Sequence, residues 1–214
     1  VVLELNALDT GIRLIPLSIA LLLAAAGIPK FRPQADPRRV VRLGLGSMII
    51  GILILVGGLD PAANAGIVAV PMLLMGLGLG ALASQLGAMT VSAVPDSQSA
   101  EVGGLQNTAT NLGASLGTAL IGSVLIATLT TSVITGIEDN PGVPTAVKER
   151  ATSELVAGVP FISDTQLEDA LEDASVPETQ AEPVVSLNSE SRLKALRVAF
   201  GLAALLAIVA LFFT

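Results

Sequence analysis

The chain has 214 residues, of which 52% are hydrophobic and only 14% are charged, and its formal net charge is -7. Soluble domains carry roughly 25% charged residues, so this composition indicates a membrane protein. The sequence contains no His and no Cys, which excludes imidazole chemistry, thiolate nucleophiles, disulfides and the usual zinc sites. We therefore expect no enzyme, no cofactor and no metal site.

Five apolar segments are long enough to cross a hydrocarbon core, which takes roughly 20 helical residues. Because they lack the period-2 alternation of barrel strands, helices are predicted. The predicted fold is all-α, a polytopic helical membrane protein with five transmembrane helices. In chain order, the predicted spans are residues 7–28, 41–59, 66–94, 102–129 and 193–214.

These spans divide the chain into three predicted parts. Residues 1–129 hold four transmembrane helices, residues 130–191 form an acidic extracytoplasmic segment, and residues 192–214 form the last transmembrane helix. The chain opens with Val-Val-Leu-Glu and stops inside the apolar run LLAIVALFFT. A fragment of a longer protein is therefore expected.

The connection between the first two spans gives the orientation. Within PKFRPQADPRRVVR, a single acidic residue, Asp36, stands against five basic ones, namely Lys30, Arg32, Arg38, Arg39 and Arg42. Short loops rich in Lys and Arg stay in the cytoplasm, so loop 30–42 is predicted to be cytoplasmic and loop 130–191 extracytoplasmic. Three bases at the outer foot of the last span run against this rule: Arg192, Lys194 and Arg197.

The outer segment is the most polar part of the chain and is predicted to hold two short amphipathic helices. Pro144 suits the first turn of one, and Gly158-Val159-Pro160 ends it. Ser163 with Gln166 three residues later makes a capping box for the second. We expect a small helical hairpin that acts either as a cation-attracting vestibule or as a solvated cap.

The fourth span has a small polar side and a bulky side. At about 100° per residue, one arc collects Asn107, Asn111, Ser115 and Thr118, while Leu105, Leu112, Leu116 and Leu120 lie opposite. An interhelical hydrogen bond in a membrane averages only about 0.6 kcal/mol, so stability alone explains these amides poorly. Polar groups at membrane depth usually face the bundle interior or a water-filled cavity. These four residues and Gln85 are therefore candidates for lining a substrate pathway, with helix packing or a hinge as the alternative.

Glycines at i, i+4 spacing predict close helix packing. Gly113 and Gly117 form one such element, and Gly76, Gly80 and Gly87 form a comparable groove on the preceding span. No Asp, Glu, Lys or Arg lies near the middle of any predicted span. A proton-coupling carboxylate is therefore expected upstream of this chain.

The order and spacing of several segments resemble the C-terminal part of the major facilitator superfamily. These are TGIRLIPLSIALLL, DPRRVVRLGL, PMLLMGLGLGALASQLGAMTVSAVP and AEVGGLQNTATNLGASLGTALIGSVL, followed by the long outer segment. More narrowly, the chain resembles the last five spans of the fourteen-span EmrB/QacA-type drug:proton antiporters of bacteria. By this resemblance, Arg38 and Arg39 match the basic end of a cytoplasmic gating loop whose Gly-to-Asp spacing is absent here.

The resemblance implies a secondary active transporter that exports drug-like or lipophilic compounds by proton antiport with alternating access. It also implies the partners: the bilayer of the cell membrane, the remaining N-terminal helices of the same protein, a small-molecule substrate and protons, but no nucleic acid. Two alternatives stay open. One is a structural or regulatory membrane subunit, and the other is a permease component driven by a separate ATPase, since no Walker-type loop occurs in the sequence.

Overall fold

A computed structural model describes residues 7–58, 68–92, 94–140, 163–173 and 176–214. Within these ranges the chain consists of helices and short turns, and no strand occurs. The six helices are α1 (Ala7–Phe31), α2 (Pro37–Gly58), α3 (Ala69–Ser92), α4 (Ser99–Asp139), α5 (Asp164–Asp173) and α6 (Glu178–Phe212), and a 3-10 turn at Asp96–Gln98 precedes α4.

All of these helices except α5 are long and apolar enough to cross a membrane, which makes five candidate spans in the described part of the chain. The predicted class, a polytopic helical membrane protein, is confirmed. The residues of the chain fall into two compact units. Among the described residues, the larger unit comprises 7–58, 68–92, 94–120 and 200–214, and the smaller unit comprises 121–140, 163–173 and 176–199.

In the larger unit, α3 packs against both α1 and α2. Gly76 lies against Leu17 and Gly80 against Leu21, so α1 and α3 run in the same direction. Gly44 lies against Ala81, whereas Gly51, further along α2, lies against Pro71, so α2 runs the opposite way. This alternation is what successive membrane crossings joined by short loops require.

Asp36 fixes the start of α2. Its Oδ1 accepts a hydrogen bond from the Arg38 backbone N–H at 3.0 Å, its carbonyl accepts one from the Val40 N–H at 3.1 Å, and Pro37 takes the first helical position. An Asp cap followed by Pro is a favoured helix start. The helix therefore begins four residues before the predicted span at 41 and includes three basic residues of the predicted loop, Arg38, Arg39 and Arg42.

In the smaller unit, the second half of α4 packs antiparallel against the first part of α6. Leu129 of α4 and Ala195 of α6 are fully buried together, with Leu125 and Val133 beside them. One to two turns further along α4, Gly136 contacts the Leu187 side chain. The pairs 129 with 195 and 136 with 187 define the antiparallel direction.

Both helices of this pair are longer than the predicted spans. The predicted outer segment 130–191 contains the last ten residues of α4 (130–139) and the first fourteen of α6 (178–191). Their polarity made them resemble a loop in hydropathy. Leu129, Val133 and Gly136 nevertheless share one face of α4, and the packing of that face against α6 stabilises the helical extension.

Helix α5 lies where the second amphipathic helix of the predicted outer segment is expected, and it begins with the expected capping box. The Ser163 N–H donates to Gln166 Oε1 and the Gln166 N–H donates to Ser163 Oγ, both at 3.0 Å. These reciprocal bonds satisfy two of the backbone and side-chain groups at the helix start. The first predicted helix, between Pro144 and Gly158, lies outside the described residues, and so does its pairing with α5.

Candidate functional site

The face of α3 that meets α1 carries Gly76 and Gly80. A Cβ added at Gly76 would collide with the Leu17 backbone carbonyl, and one at Gly80 would lie 2.7 Å from the Ala24 Cβ and 3.1 Å from the Ala25 N. The two backbones are therefore in direct contact, which only glycine permits at these positions. Gly87 also belongs to α3, but its surroundings lie outside the described part of the structure.

The opposite face of α3 meets α2 through glycines that the sequence analysis did not select. A Cβ at Gly78 would lie 2.5 Å from the Gly44 carbonyl oxygen, and one at Gly51 would lie 3.0 Å from the Pro71 carbonyl oxygen. Gly78 is about 200° from Gly76 and Gly80 around the helix, so the run GLGLG serves two neighbours. The sequence does contain a signal for this α2–α3 contact. The spacing of Gly44 and Gly51 puts both glycines on one face of α2, two turns apart.

A hydrogen bond reinforces this second contact. Ser47 Oγ donates to the Leu74 carbonyl oxygen at 2.8 Å, which links α2 to α3. Membrane helices often use Ser in this way where close approach brings a hydroxyl near a neighbouring backbone.

Gln85 is buried, with 8% of its surface exposed. Its Nε2 donates to Ser84 Oγ at 3.1 Å, and Ser84 Oγ donates to the Ala81 carbonyl oxygen at 2.7 Å. The amide is therefore engaged by its own helix. Its predicted place on a substrate pathway stays a prediction.

The polar stripe on α4 lies on the surface of the chain. Asn107, Asn111, Ser115 and Thr118 are all exposed, and Asn111 Nδ2 donates to Asn107 Oδ1 at 3.4 Å. An Asn amide offers two donor hydrogens and an acceptor oxygen. One long bond between the two amides leaves most of this capacity available to groups beyond the described residues.

Neighbouring threonines behave differently. Thr108 Oγ1 donates to the Gly104 carbonyl at 3.0 Å and Thr110 Oγ1 to the Gln106 carbonyl at 2.9 Å. These hydroxyls are satisfied within the helix. They are therefore compatible with lipid, whereas the two asparagine amides retain unmet capacity.

The predicted packing glycines of α4 have open space around them. In the described part of the chain, a Cβ at Gly113 or Gly117 would meet nothing within 4 Å. The bulky face is exposed too, as Leu105, Leu112 and Leu116 show. The packing role of Gly113 and Gly117 stays a prediction, and it requires a partner helix beyond the described residues.

The predicted gating loop closes one end of a cleft between α1 and α2. Arg39 Nε lies 3.6 Å from Asp36 Oδ2, but the two side chains are 85% and 51% exposed. Such an exposed pair contributes under about 1 kcal/mol. The cleft has a volume of about 900 Å³ and Arg39 lines it, whereas Arg38 lies outside its lining.

The smaller unit holds a buried polar cluster that the sequence analysis did not predict. Arg192 is 1% exposed and forms an ion pair with Asp164, the first residue of α5. Asn188 Nδ2 donates to the other carboxylate oxygen of Asp164 at 2.9 Å. A carboxylate at a helix N-terminus is further stabilised by the helix dipole.

This cluster explains one base that runs against the positive-inside rule. Arg192 is neutralised inside the protein, so it belongs to the fold of the smaller unit and carries no signal for orientation. The ion pair joins residues 28 positions apart. Only the Ser163 cap beside Asp164 gave a local signal for this region.

Among the described residues, no three His, Cys, Asp or Glu side chains are grouped so that they could hold a metal ion. No protein-family model, curated protein or solved structure matches the chain.

Proposed function

We propose that the chain is part of a secondary active transporter that exports drug-like or lipophilic compounds by proton antiport with alternating access. The observation that carries the proposal is the exposed amide pair of Asn107 and Asn111 on a helix of membrane-spanning length.

Amides with unmet hydrogen-bonding capacity are costly in contact with lipid, so such residues face a protein interior or water. Ser115 and Thr118, which have small side chains, continue the same stripe and are exposed. Beside the stripe, no described residue lies within 4 Å of a Cβ placed at Gly113 or Gly117. A stripe of this kind suits the wall of a water-accessible pathway, whose other wall consists of helices outside this chain. The resemblance to the fourteen-span drug:proton antiporters supports the same arrangement.

The glycine contacts support different roles for the helices of the larger unit: a scaffold for α1, α2 and α3, and a polar surface for α4. α1, α2 and α3 are held together by backbone contacts at Gly76, Gly78 and Gly80, and they form a scaffold. The face of α4 then supplies the polar groups. In this proposal the protein lies in the plasma membrane, with loop 30–42 in the cytoplasm and the α4–α6 connection outside.

The coupling carboxylate is proposed to lie in the partner helices. The acidic residues of α1 and α4 lie at the helix ends, as Asp9, Glu101 and Asp139 illustrate, and α2 contains none. A proton carrier in a transporter lies near the site that it controls, at membrane depth. The substrate and the protons would meet at the interface between this chain and those helices.

Efflux by the complete protein tests the proposal. In membrane vesicles, export of a lipophilic cation should stop when a protonophore collapses the proton gradient. Efflux that continues without the gradient and depends on ATP would favour the permease alternative. Absence of transport under all conditions, with the protein folded, would favour a structural or regulatory subunit.

The role of the stripe is tested by Asn111→Ala. We expect the ratio of transport rates for two substrates to change by about threefold or more, the factor that corresponds to one hydrogen bond of about 0.6 kcal/mol. The amount of folded protein should stay unchanged, because among the described residues the amide loses one long hydrogen bond, to Asn107.

Thr110→Ala is the matched control, since its hydroxyl is satisfied by the Gln106 carbonyl and lies about 100° away around α4. It should leave the ratio unchanged. If Asn111→Ala instead lowers folded protein and transport equally for all substrates, the amide has a packing role.

A further inference from the structure

The cleft between α1 and α2 is apolar inside. Its walls are Leu23 and Ile28 of α1 and Val40 and Leu43 of α2, and Leu77 of α3 forms its floor. Leu23 and Leu43 are strongly exposed, so the cleft opens between them to the surroundings of the helices. Its volume of about 900 Å³ lies within the range of about 300–1,000 Å³ typical of ligand clefts.

The mouth of the cleft is basic. The charged residues that line it are Arg32, Asp36 and Arg39, which gives a net charge of one positive. The only ion pair described among them, between Arg39 and Asp36, is exposed and contributes little. Arg39 is therefore available to exchange Asp36 for another anion at little cost.

The polar groups deeper in the cleft are already engaged. Ser47 lines it, but its hydroxyl donates to the Leu74 carbonyl. At the mouth, Asp36 accepts a hydrogen bond from the Arg38 N–H. A ligand would therefore meet an apolar interior, with Arg32 and Arg39 at the entrance beside the polar side chains of Gln34 and Asp36.

We propose that this cleft binds an anionic phospholipid, with the phosphate at Arg32 and Arg39 and one acyl chain between α1 and α2 against α3. Basic clusters at the end of a membrane helix attract anionic headgroups, and a cleft that opens sideways at membrane depth is filled by the surrounding lipid. The combination of a cationic mouth and an apolar interior matches a phospholipid better than a free anion. This site is separate from the α4 stripe and does not depend on the transport proposal.

Binding of phosphatidylglycerol to the purified full chain tests the site, with phosphatidylcholine of the same acyl chains as the neutral comparison. Titrations followed by native mass spectrometry should show preferential retention of phosphatidylglycerol. Arg32→Gln/Arg39→Gln should weaken its binding roughly 30-fold, since each base near the headgroup contributes about fivefold. Arg38→Gln/Arg42→Gln is the matched control because it removes the same charge from the same loop outside the cleft.

Three further measurements separate a lipid from a free anion. Val40→Trp narrows the cleft without changing any charge and should also weaken binding of phosphatidylglycerol. Inorganic phosphate should not compete with the lipid at millimolar concentration. Phosphatidylglycerol with a photoreactive acyl chain should label the wild-type protein near Val40 and Leu77, a measurement that needs no variant.

If the two double variants lose the same amount of phosphatidylglycerol binding, the effect comes from the overall positive charge of the region and not from the cleft. That result would overturn the site. Competition by phosphate alone, or full binding by Val40→Trp, would remove the acyl chain from the cleft. Photolabelling spread evenly over all helices would contradict the proposal regardless of how the variants fold.

Discussion

Gly76→Ala is expected to lower the free energy of unfolding by about 1–3 kcal/mol, the range measured when a methyl group is forced into packed surroundings. The added Cβ would collide with the Leu17 carbonyl, which is backbone and cannot rotate away. Relief requires α1 and α3 to separate along their contact. Unfolding in mixed micelles, followed by circular dichroism as the denaturing detergent increases, measures the change.

Gly46→Ala provides the control for this prediction. Gly46 lies in the middle of α2, and its Cβ would meet nothing within 4 Å among the described residues. Because Gly costs about 0.5–1 kcal/mol relative to Ala inside a helix, this variant should be as stable as the wild type or slightly more stable. Equal stability of the two variants would mean that the α1–α3 contact is looser than described.

Asp164→Asn is the second change with a large expected effect. It removes the ion pair that Asp164 forms with Arg192, which is 1% exposed. Removing one partner of a buried ion pair costs about 3–5 kcal/mol, and the 24% exposure of the Asp164 side chain places the expected loss near 3 kcal/mol. Hydrogen exchange should show α5 opening first, with a lower thermal midpoint of the whole protein.

The double variant Asp164→Asn/Arg192→Met separates a buried charge from a simple loss of contact. It should recover much of the lost stability, because an apolar side chain replaces the buried guanidinium that has lost its ion pair with Asp164. Asp169→Asn removes an exposed acidic residue from the same helix and should change stability by less than about 0.5 kcal/mol. If it destabilises α5 as much as Asp164→Asn does, the net charge of the helix and not the ion pair is responsible.

The helical membrane class was predictable because long apolar runs leave few alternatives in a bilayer. The ends of α4 and α6 were not, since residues 130–139 and 178–191 are polar and their helical form depends on contacts between distant parts of the chain. Leu129 of α4 and Ala195 of α6, for example, are buried in one cluster although they lie 66 residues apart in the chain. Hydropathy identifies helices that are apolar enough to contact lipid. It does not identify polar helices whose stability comes from packing against other parts of the protein.

The glycines illustrate the same limit. Gly76 with Gly80 and Gly113 with Gly117 have the same spacing, but only the first pair has a described neighbour. A small-residue motif shows that a close approach is possible, while the presence of a partner is decided elsewhere in the protein. The capping box of α5 was predictable because its bonds span three residues, whereas the Asp164–Arg192 pair spans 28.

The glycines on both faces of α3 also have a mechanical consequence. Gly76 and Gly80 fit against α1 while Gly78 fits against α2, so rotation of α3 about its axis would press larger side chains into one neighbour or the other. If α3 moved along its axis by one residue, the result would be the same, because each of these glycines lies against one carbonyl group of a neighbouring helix. The three helices are therefore expected to move as a rigid body, and any change of conformation during a working cycle must occur at the borders of this body.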